Sequence, residues 1–212
     1  YLLLLSYGGA TVVLLVRCVG KYELVGRTLD DSAGEAYEKV AKMLGLVCPG
    51  WPIVDQRAGL GNPNAFKFPR PLCDKPGCDF SFSGIKTSAR TELQKHDAPY
   101  SDEFINDFCA SFQASVVDVI INRLSNSLTD PRVMDANPKT LVVAGGVAKN
   151  SAIRAAMEKM ASDHDMQFAA PPLNLCTDNG AMIAWAGIEN YLVGKVVTEP
   201  VAPRPRWPLT EL

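Results

Sequence analysis

Apolar residues recur along this chain in two rhythms, and the changes of rhythm divide it into elements. Residues 1–6 are an apolar run of strand length, 12–16 a second, and 22–27 a third, with a Val19-Gly20-Lys21 turn between the last two. From Asp30-Asp31-Ser32 the period becomes helical: Ala33, Ala36, Tyr37, Val40, Ala41 and Leu44 share one face, and Gly45 stops the helix. Residues 46–78 carry many prolines and glycines and read as loop, with one short helix after Pro52. Loops of this length in a compact domain are usually functional. Residues 84–95 and 102–128 read as helices. The second carries Phe104, Phe108, Phe112 and Val116 at spacings of four, widened by Ile105, Val119 and Ile120, a stripe that packs a core. A polar connection at 129–139 leads to a strand at 141–144, a helix at about 150–162, a short strand at 167–169 and a last helix at about 178–193. A tail at 194–212 follows, rich in Pro and Val. This order is an α/β pattern on a mixed sheet, because the three opening strands read as a meander.

Composition narrows the picture modestly. The chain has 212 residues, 47% of them hydrophobic and 21% charged, as in a globular protein with ample core. A net charge of −2 argues against a broadly basic nucleic-acid surface and leaves room for a local patch or a basic partner. Six cysteines without a Cys-x-x-Cys fit reduced, cytosolic thiols, although Cys73 and Cys78 share one Pro/Gly loop. The opening apolar run is too short for a membrane span or a signal peptide. A chain that opens inside a core strand, without Met, is expected to lack an N-terminal part.

Chemistry concentrates at 141–150, Leu-Val-Val-Ala-Gly-Gly-Val-Ala-Lys-Asn. A buried strand meets two glycines, which let a ligand approach the backbone, and a helix begins just beyond with free N–H groups for an anion. The segment reads equally as an ordinary strand–turn–helix corner with Asn150 as N-cap. Four further segments stand out: Leu5-Ser-Tyr-Gly-Gly-Ala-Thr11, Leu29-Asp-Asp-Ser-Ala-Gly-Glu-Ala-Tyr-Glu-Lys39, Asp79-Phe-Ser-Phe-Ser-Gly-Ile-Lys86 and Leu175-Cys-Thr-Asp-Asn-Gly-Ala-Met-Ile-Ala184. Each is weak alone. With the glycine turn they stand in the order and spacing of one family, and from Tyr1 to about Trp207 the chain closely resembles the bacterial tRNA N6-adenosine threonylcarbamoyltransferases, the TsaD family once described as glycoproteases.

That resemblance implies an actin-like ATPase (ASKHA) fold, here mostly its second lobe: residues 1–193, with a helical and loop insertion at about 46–138, the first lobe being absent. It implies a cytoplasmic enzyme that moves a threonylcarbamoyl group from threonylcarbamoyl-AMP to N6 of the adenosine 3′ of the tRNA anticodon. Ferrous iron or another divalent metal would be the cofactor, and TsaB-like and TsaE-like subunits the partners, with no membrane. The acyl carbon of the substrate needs polarisation, and its charge needs a metal or N–H donors. By the same resemblance Asp178 would bind the metal, although a carboxylate before a helix is also an ordinary N-cap. Leu5, Ser6, Tyr7, Gly8 and Gly9 would contact the substrate, Gly145 and Gly146 would lie along the nucleotide, and Asn150 would meet the adenosine moiety. Glu38 and Trp51 stand where the family approaches the ribose. Glu35 and Lys39, four apart on one helix, read as a surface ion pair.

Departures from the family pattern are equally visible. The family's His-x-x-x-His metal ligands have no counterpart, since His96 and His164 are far apart and read as surface residues; Asp178 alone cannot make a competent site, and the chain as given is expected to be inactive. Tyr7 replaces a small hydroxyl, Ala10 an imidazole, Glu38 an aspartate and Trp51 a glycine. Trp51 would either block the ribose pocket or stack on the ligand. Two alternatives therefore stand beside the enzyme: a degenerate paralogue acting as a scaffold, and another ASKHA activity such as a sugar kinase. Peptidase chemistry has no visible machinery, because no Ser/His/Asp or His-Glu-x-x-His arrangement occurs. If the first lobe is missing, apolar faces of the opening sheet and of the last helix should be exposed, and the chain should self-associate or be marginally stable.

Overall fold

A computed structural model of the chain describes residues 1–196, 202 and 204. Five strands form one mixed sheet: β1 (Leu2–Tyr7), β2 (Ala10–Cys18), β3 (Lys21–Arg27), β4 (Thr140–Ala144) and β5 (Gln167–Ala169), in the order β3-β2-β1-β4-β5. The first three pair antiparallel as a meander, while β1–β4 and β4–β5 are parallel. Leu2 of β1 sits opposite Leu141 of β4, and Leu5 opposite Ala144. This register brings the hairpin after β1 and the glycine pair after β4 to the same sheet edge, at the carboxyl ends of two parallel strands. Open α/β sheets commonly bind ligands at that edge.

The long connection between β3 and β4 is helical. It comprises α1 (Ala33–Met43), α2 (Gly50–Ala58), α3 (Ser83–Leu93), α4 (Asp102–Leu128) and α5 (Pro131–Ala136); α6 (Ser151–Asp163) and α7 (Gly180–Leu192) follow β4 and β5. Ser32 caps α1 by accepting from Glu35 N, and Gly45 takes φ +72° just past its end, where only glycine turns without strain. Ser101 caps α4. Phe108, Phe112, Val116, Val119 and Ile120 of α4 are buried, with Phe104 and Ile105 packed at the margin. Phe104, Phe108, Phe66 and Phe68 form a cluster of ring contacts at 5.1–6.3 Å. Among the described residues α4 is the one helix long and apolar enough to cross a membrane, yet it is the core helix, largely enclosed by α2, α3 and α6.

Several expectations from the sequence are revised. The short helix expected after Pro52 begins at Gly50, with Pro49 at the N-cap and Pro52 in the first turn, where a missing N–H costs nothing. The connection at 129–139 contains α5. Its signals are Asp130 as N-cap, Pro131 at the first helical position and Asn137 in a left-handed C-cap, but it buries only Val133 and so lacks an apolar rhythm. α6 starts at Ser151 with Asn150 as its cap, as expected, and a 3₁₀ turn, Gly146–Lys149, fills the interval after the glycines. All six cysteines are free thiols, and both histidines are exposed. The last helix is exposed along its length, as expected, with Ile183, Trp185, Ile188, Tyr191 and Leu192 all open to solvent. The opening sheet is better covered than expected: Leu2, Leu4, Val13, Leu14, Leu15 and Val16 are all buried. The expected tail falls largely outside the described residues.

Candidate functional site

One cavity of about 780 Å³ opens at the carboxyl edge of β1 and β4. It is lined from places far apart in sequence. Leu5, Tyr7 and Gly8 come from the first hairpin, Gly34 and Glu38 from α1, and Trp51 from α2. Ala144, Gly145, Gly146 and Val147 come from the glycine turn, and Pro171, Leu175–Asp178 and Met182 from the final segment. A cavity of this size fits a small molecule of nucleotide dimensions.

Local bonding explains how each wall is held. The Ser6 hydroxyl is buried and hydrogen-bonds Thr11 Oγ1 at 2.8 Å, and Ala33 N donates to the same Thr11 oxygen at 3.1 Å. Ser32 Oγ donates to Gly8 O at 2.9 Å while accepting from Glu35 N. The hairpin is thereby fastened to the start of α1. The turn after β4 depends on glycine at one position. Gly145 has φ +88° and ψ 178°, and a Cβ there would meet Ser6 O at 2.2 Å. Gly146 has no such neighbour.

Glu38 has a task that sequence spacing does not show. Both its carboxylate oxygens accept from Gly50 N at 2.8 Å, and Oε1 also accepts from Trp51 N at 3.4 Å. Pro49 offers no side-chain acceptor at the N-cap, so a residue of α1 caps α2 instead. The sequence signal is the proline itself, which leaves the first helical N–H groups to seek an outside acceptor. Trp51 is half-buried at the cavity wall, and Lys149 Nζ stands 5.9 Å from its ring centroid, a cation–π contact.

Asp178 lies on the cavity wall, exposed, and no described residue pairs or hydrogen-bonds with its carboxylate. The cap of α7 is its neighbour: Asn179 accepts from Met182 N at 2.9 Å. The ordinary N-cap account of Asp178 therefore fails. Metal binding is a separate question. Among the described residues no group of three His, Cys, Asp or Glu side chains converges, and a single carboxylate does not hold a divalent cation. The described residues do not by themselves make a complete metal site.

Not every expected site residue reaches the cavity. Ser6 and Gly9 lie outside its lining. Asn150 is 2% exposed and sits behind the wall: Oδ1 caps α6 by accepting from Ile153 N at 2.9 Å, and Nδ2 donates to Gln113 Oε1 at 2.7 Å. Tyr37 and Asp55 join the same buried group. Glu35 and Lys39 form the expected pair at 2.5 Å, and Lys39 also engages Asp31; solvent screening leaves such surface pairs little net effect on stability. The Asp79–Lys86 corner is organised from outside itself. Asp30 accepts from Phe82 N, Ser83 N and the hydroxyls of Ser81 and Ser83, so it caps α3 across the chain.

Comparison with known proteins places these motifs in company. The family pattern of TsaD, tRNA N6-adenosine threonylcarbamoyltransferase, matches residues 2–185. Proteins of that description from Rhodospirillum rubrum, Brucella anthropi and Methylorubrum extorquens are 51%, 50% and 48% identical over 99–100% of this chain. The chain spans 58–61% of the length of these curated relatives.

Proposed function

Since the chain belongs to the tRNA N6-adenosine threonylcarbamoyltransferase family, whose mixed α/β fold it has, we propose that it is the cleft-bearing C-terminal lobe of such a cytoplasmic enzyme. Its reaction is transfer of the threonylcarbamoyl group of threonylcarbamoyl-AMP to N6 of the adenosine 3′ of the anticodon. The observation that carries this reading is the convergence of the first hairpin, α1, α2, the glycine turn and the segment around Asp178 on one cavity.

In this reading the adenylate lies along Gly145 and Gly146, where absent side chains let it touch the backbone. Leu5, Tyr7 and Gly8 face the threonylcarbamoyl end. The sugar faces Glu38 and Trp51. The amine N6 of tRNA attacks the carbamoyl carbon, the bond from that carbon to the phosphate oxygen breaks, and AMP leaves with the electron pair. The N6 proton departs to solvent or a base. Backbone N–H groups at the cavity are the chain's own means of stabilising the oxygen that gains charge. The family's metal, when bound, would polarise the acyl group and neutralise the phosphate, with Asp178 as this chain's contribution. TsaB-like and TsaE-like subunits and tRNA are the partners of this reading.

The test is reconstitution of the full-length protein with ferrous iron, threonylcarbamoyl-AMP, tRNA and those partner subunits, reading modified adenosine by mass spectrometry; the 212-residue chain by itself, without the family's histidine ligands, should be inactive. Modification that disappears with Asp178→Asn supports the reading. Unmodified tRNA, with the protein folded and threonylcarbamoyl-AMP unbound by calorimetry, overturns it. Unmodified tRNA with substrate still bound favours the scaffold reading, to which the engaged carboxylate of Glu38 and the bulk of Trp51 lend support.

A further inference from the structure

Behind the cavity, Gln113 occupies the middle of α4 and is 6% exposed. Its Nε2 donates to Asp55 Oδ1 of α2 at 3.0 Å. Its Oε1 accepts from Asn150 Nδ2 at 2.7 Å and from the Tyr37 hydroxyl of α1 at 3.2 Å. Asp55 in turn accepts from Ser151 N and Ser151 Oγ, both at 2.9 Å. One amide thus binds three elements, and each carries one wall of the cavity: α1 with Gly34 and Glu38, α2 with Trp51, and the start of α6 with the glycine turn before it. Gln113 itself is not part of the cavity lining.

We propose that Gln113 is a positioning residue that sets the spacing between the Glu38–Trp51 wall and the Gly145–Val147 wall. The proposal rests on the reading of the cavity as an adenylate site. The physical argument is directional. An amide holds its NH2 donor and its C=O acceptor in one plane, diverging from a single carbon, so an acceptor such as a carboxylate must meet the nitrogen and donors the oxygen. Asp55 satisfies the first condition, Asn150 and Tyr37 the second. A methionine of similar bulk fills the volume but leaves buried Asn150 and Tyr37 each short of a partner and frees half-buried Asp55 from α4, so the walls lose their common reference.

Gln113→Met and Gln113→Glu in the full chain test this. A protonated glutamic acid keeps the donor toward Asp55 and the acceptor toward Asn150, whereas an ionised one sets two carboxylates against each other. Two neighbouring groups keep their protons between pH 6 and 8: burial pushes the Tyr37 hydroxyl well above its ordinary value and raises the Cys109 thiol to about 12. The first measurement is amide hydrogen exchange. Gln113→Met should raise exchange at 50–54 and 145–151 together, with the sheet unchanged; faster exchange everywhere, or at neither segment, overturns the proposal. The second is calorimetric affinity for AMP. Gln113→Met should bind AMP at least tenfold more weakly than the wild type, and Gln113→Glu should lose affinity relative to the wild type as rising pH ionises its carboxyl against Asp55. Gln113→Met with the AMP affinity of the wild type overturns the positioning role. If the wild type binds no AMP, the adenylate reading fails, and hydrogen exchange alone decides whether Gln113 couples the walls.

Discussion

Replacing Gly145 by alanine should damage this protein far more than the same change one residue later. Gly145 sits at φ +88° and ψ 178°, a region essentially closed to side chains, and occupying it costs about 1–3 kcal/mol. The new Cβ would also stand 2.2 Å from Ser6 O and 2.8 Å from Ser6 C, atoms of the β1 backbone that pairs with β4. Relief requires the turn to lift from β1, an overpacking cost of about 1–3 kcal/mol. Together the change removes on the order of 2–6 kcal/mol from a domain whose whole stability is typically about 5–15 kcal/mol. At Gly146 φ is not positive and a methyl group would meet no atom within 4 Å, so Gly146→Ala should stay within about 1 kcal/mol of wild type. Urea unfolding of the two variants side by side, with unchanged m-values, measures the difference. A Gly145→Ala protein as stable as wild type, or equal losses at the two positions, would show that the turn does not depend on the close approach to Ser6. Gly146 lines the cavity, so its variant also separates ligand contact from folding.

Asp178→Asn should leave thermal stability nearly unchanged, within about 0.5 kcal/mol, because the carboxylate has no described partner, yet should abolish transfer by the reconstituted enzyme; a large stability loss would assign it a structural role instead. Asp30 is a pH-linked cap. Burial raises its carboxyl pKa, but hydrogen bonds from Ser81, Ser83 and the Phe82 and Ser83 amides outweigh this and hold it below the ordinary value of 3.8. A depressed folded-state pKa contributes stability above the unfolded value and loses it as pH falls through the folded one. The contribution of Asp30 should therefore fade below about pH 4 and be missing from Asp30→Asn, whose stability profile in that window should be flatter. Cys109, buried and raised to about 12, should resist iodoacetamide at pH 8 while exposed Cys18 and Cys48 are alkylated, as peptide mapping would show; rapid labelling of Cys109 in native protein would contradict its burial.

The strands, the long core helix and the helix around Ala33–Leu44 are legible because each buries one face, and burial writes its period into the sequence. The parallel neighbour of β1 is not, since nothing local to Leu2–Tyr7 announces a partner some 140 residues away. The same limit hides the caps. In sequence Asp30 looks like the opening of the next helix, but its oxygens cap α3 across 52 residues of chain. Glu38 stands where the family meets a sugar, but it also closes the end of α2. Such acceptors become visible only when an N-cap position is seen to lack its own, as Phe82 and Pro49 do. Asp178 is the converse case. Its place before a helix suggests an N-cap, and the adjacent Asn179 takes that task. Gln113, midway along α4 between Ser111 and Ser115, carries no signal that sets it apart in the sequence.

Two of the family departures reduce to one physical change. Glu38 reaches across to the first turn of α2, and Trp51 is the second residue of that turn. Gly50 lies between them in tight contact with α1, where a Cβ would come within 2.5 Å of Ala41 Cβ. The position of Trp51 at the cavity therefore depends on where Glu38 holds α2, and the longer carboxylate and the larger ring act as one unit. The same helix carries Asp55, which ties it through Gln113 to α4 and directly to Ser151 at the head of α6. A shift of α2 at its first turn is thus transmitted to the glycine wall through hydrogen bonds, not through the ligand. On the proposal made for Gln113, the width of the cleft is set by Glu38 at its wall together with Gln113, Asp55 and Asn150, which lie outside its lining.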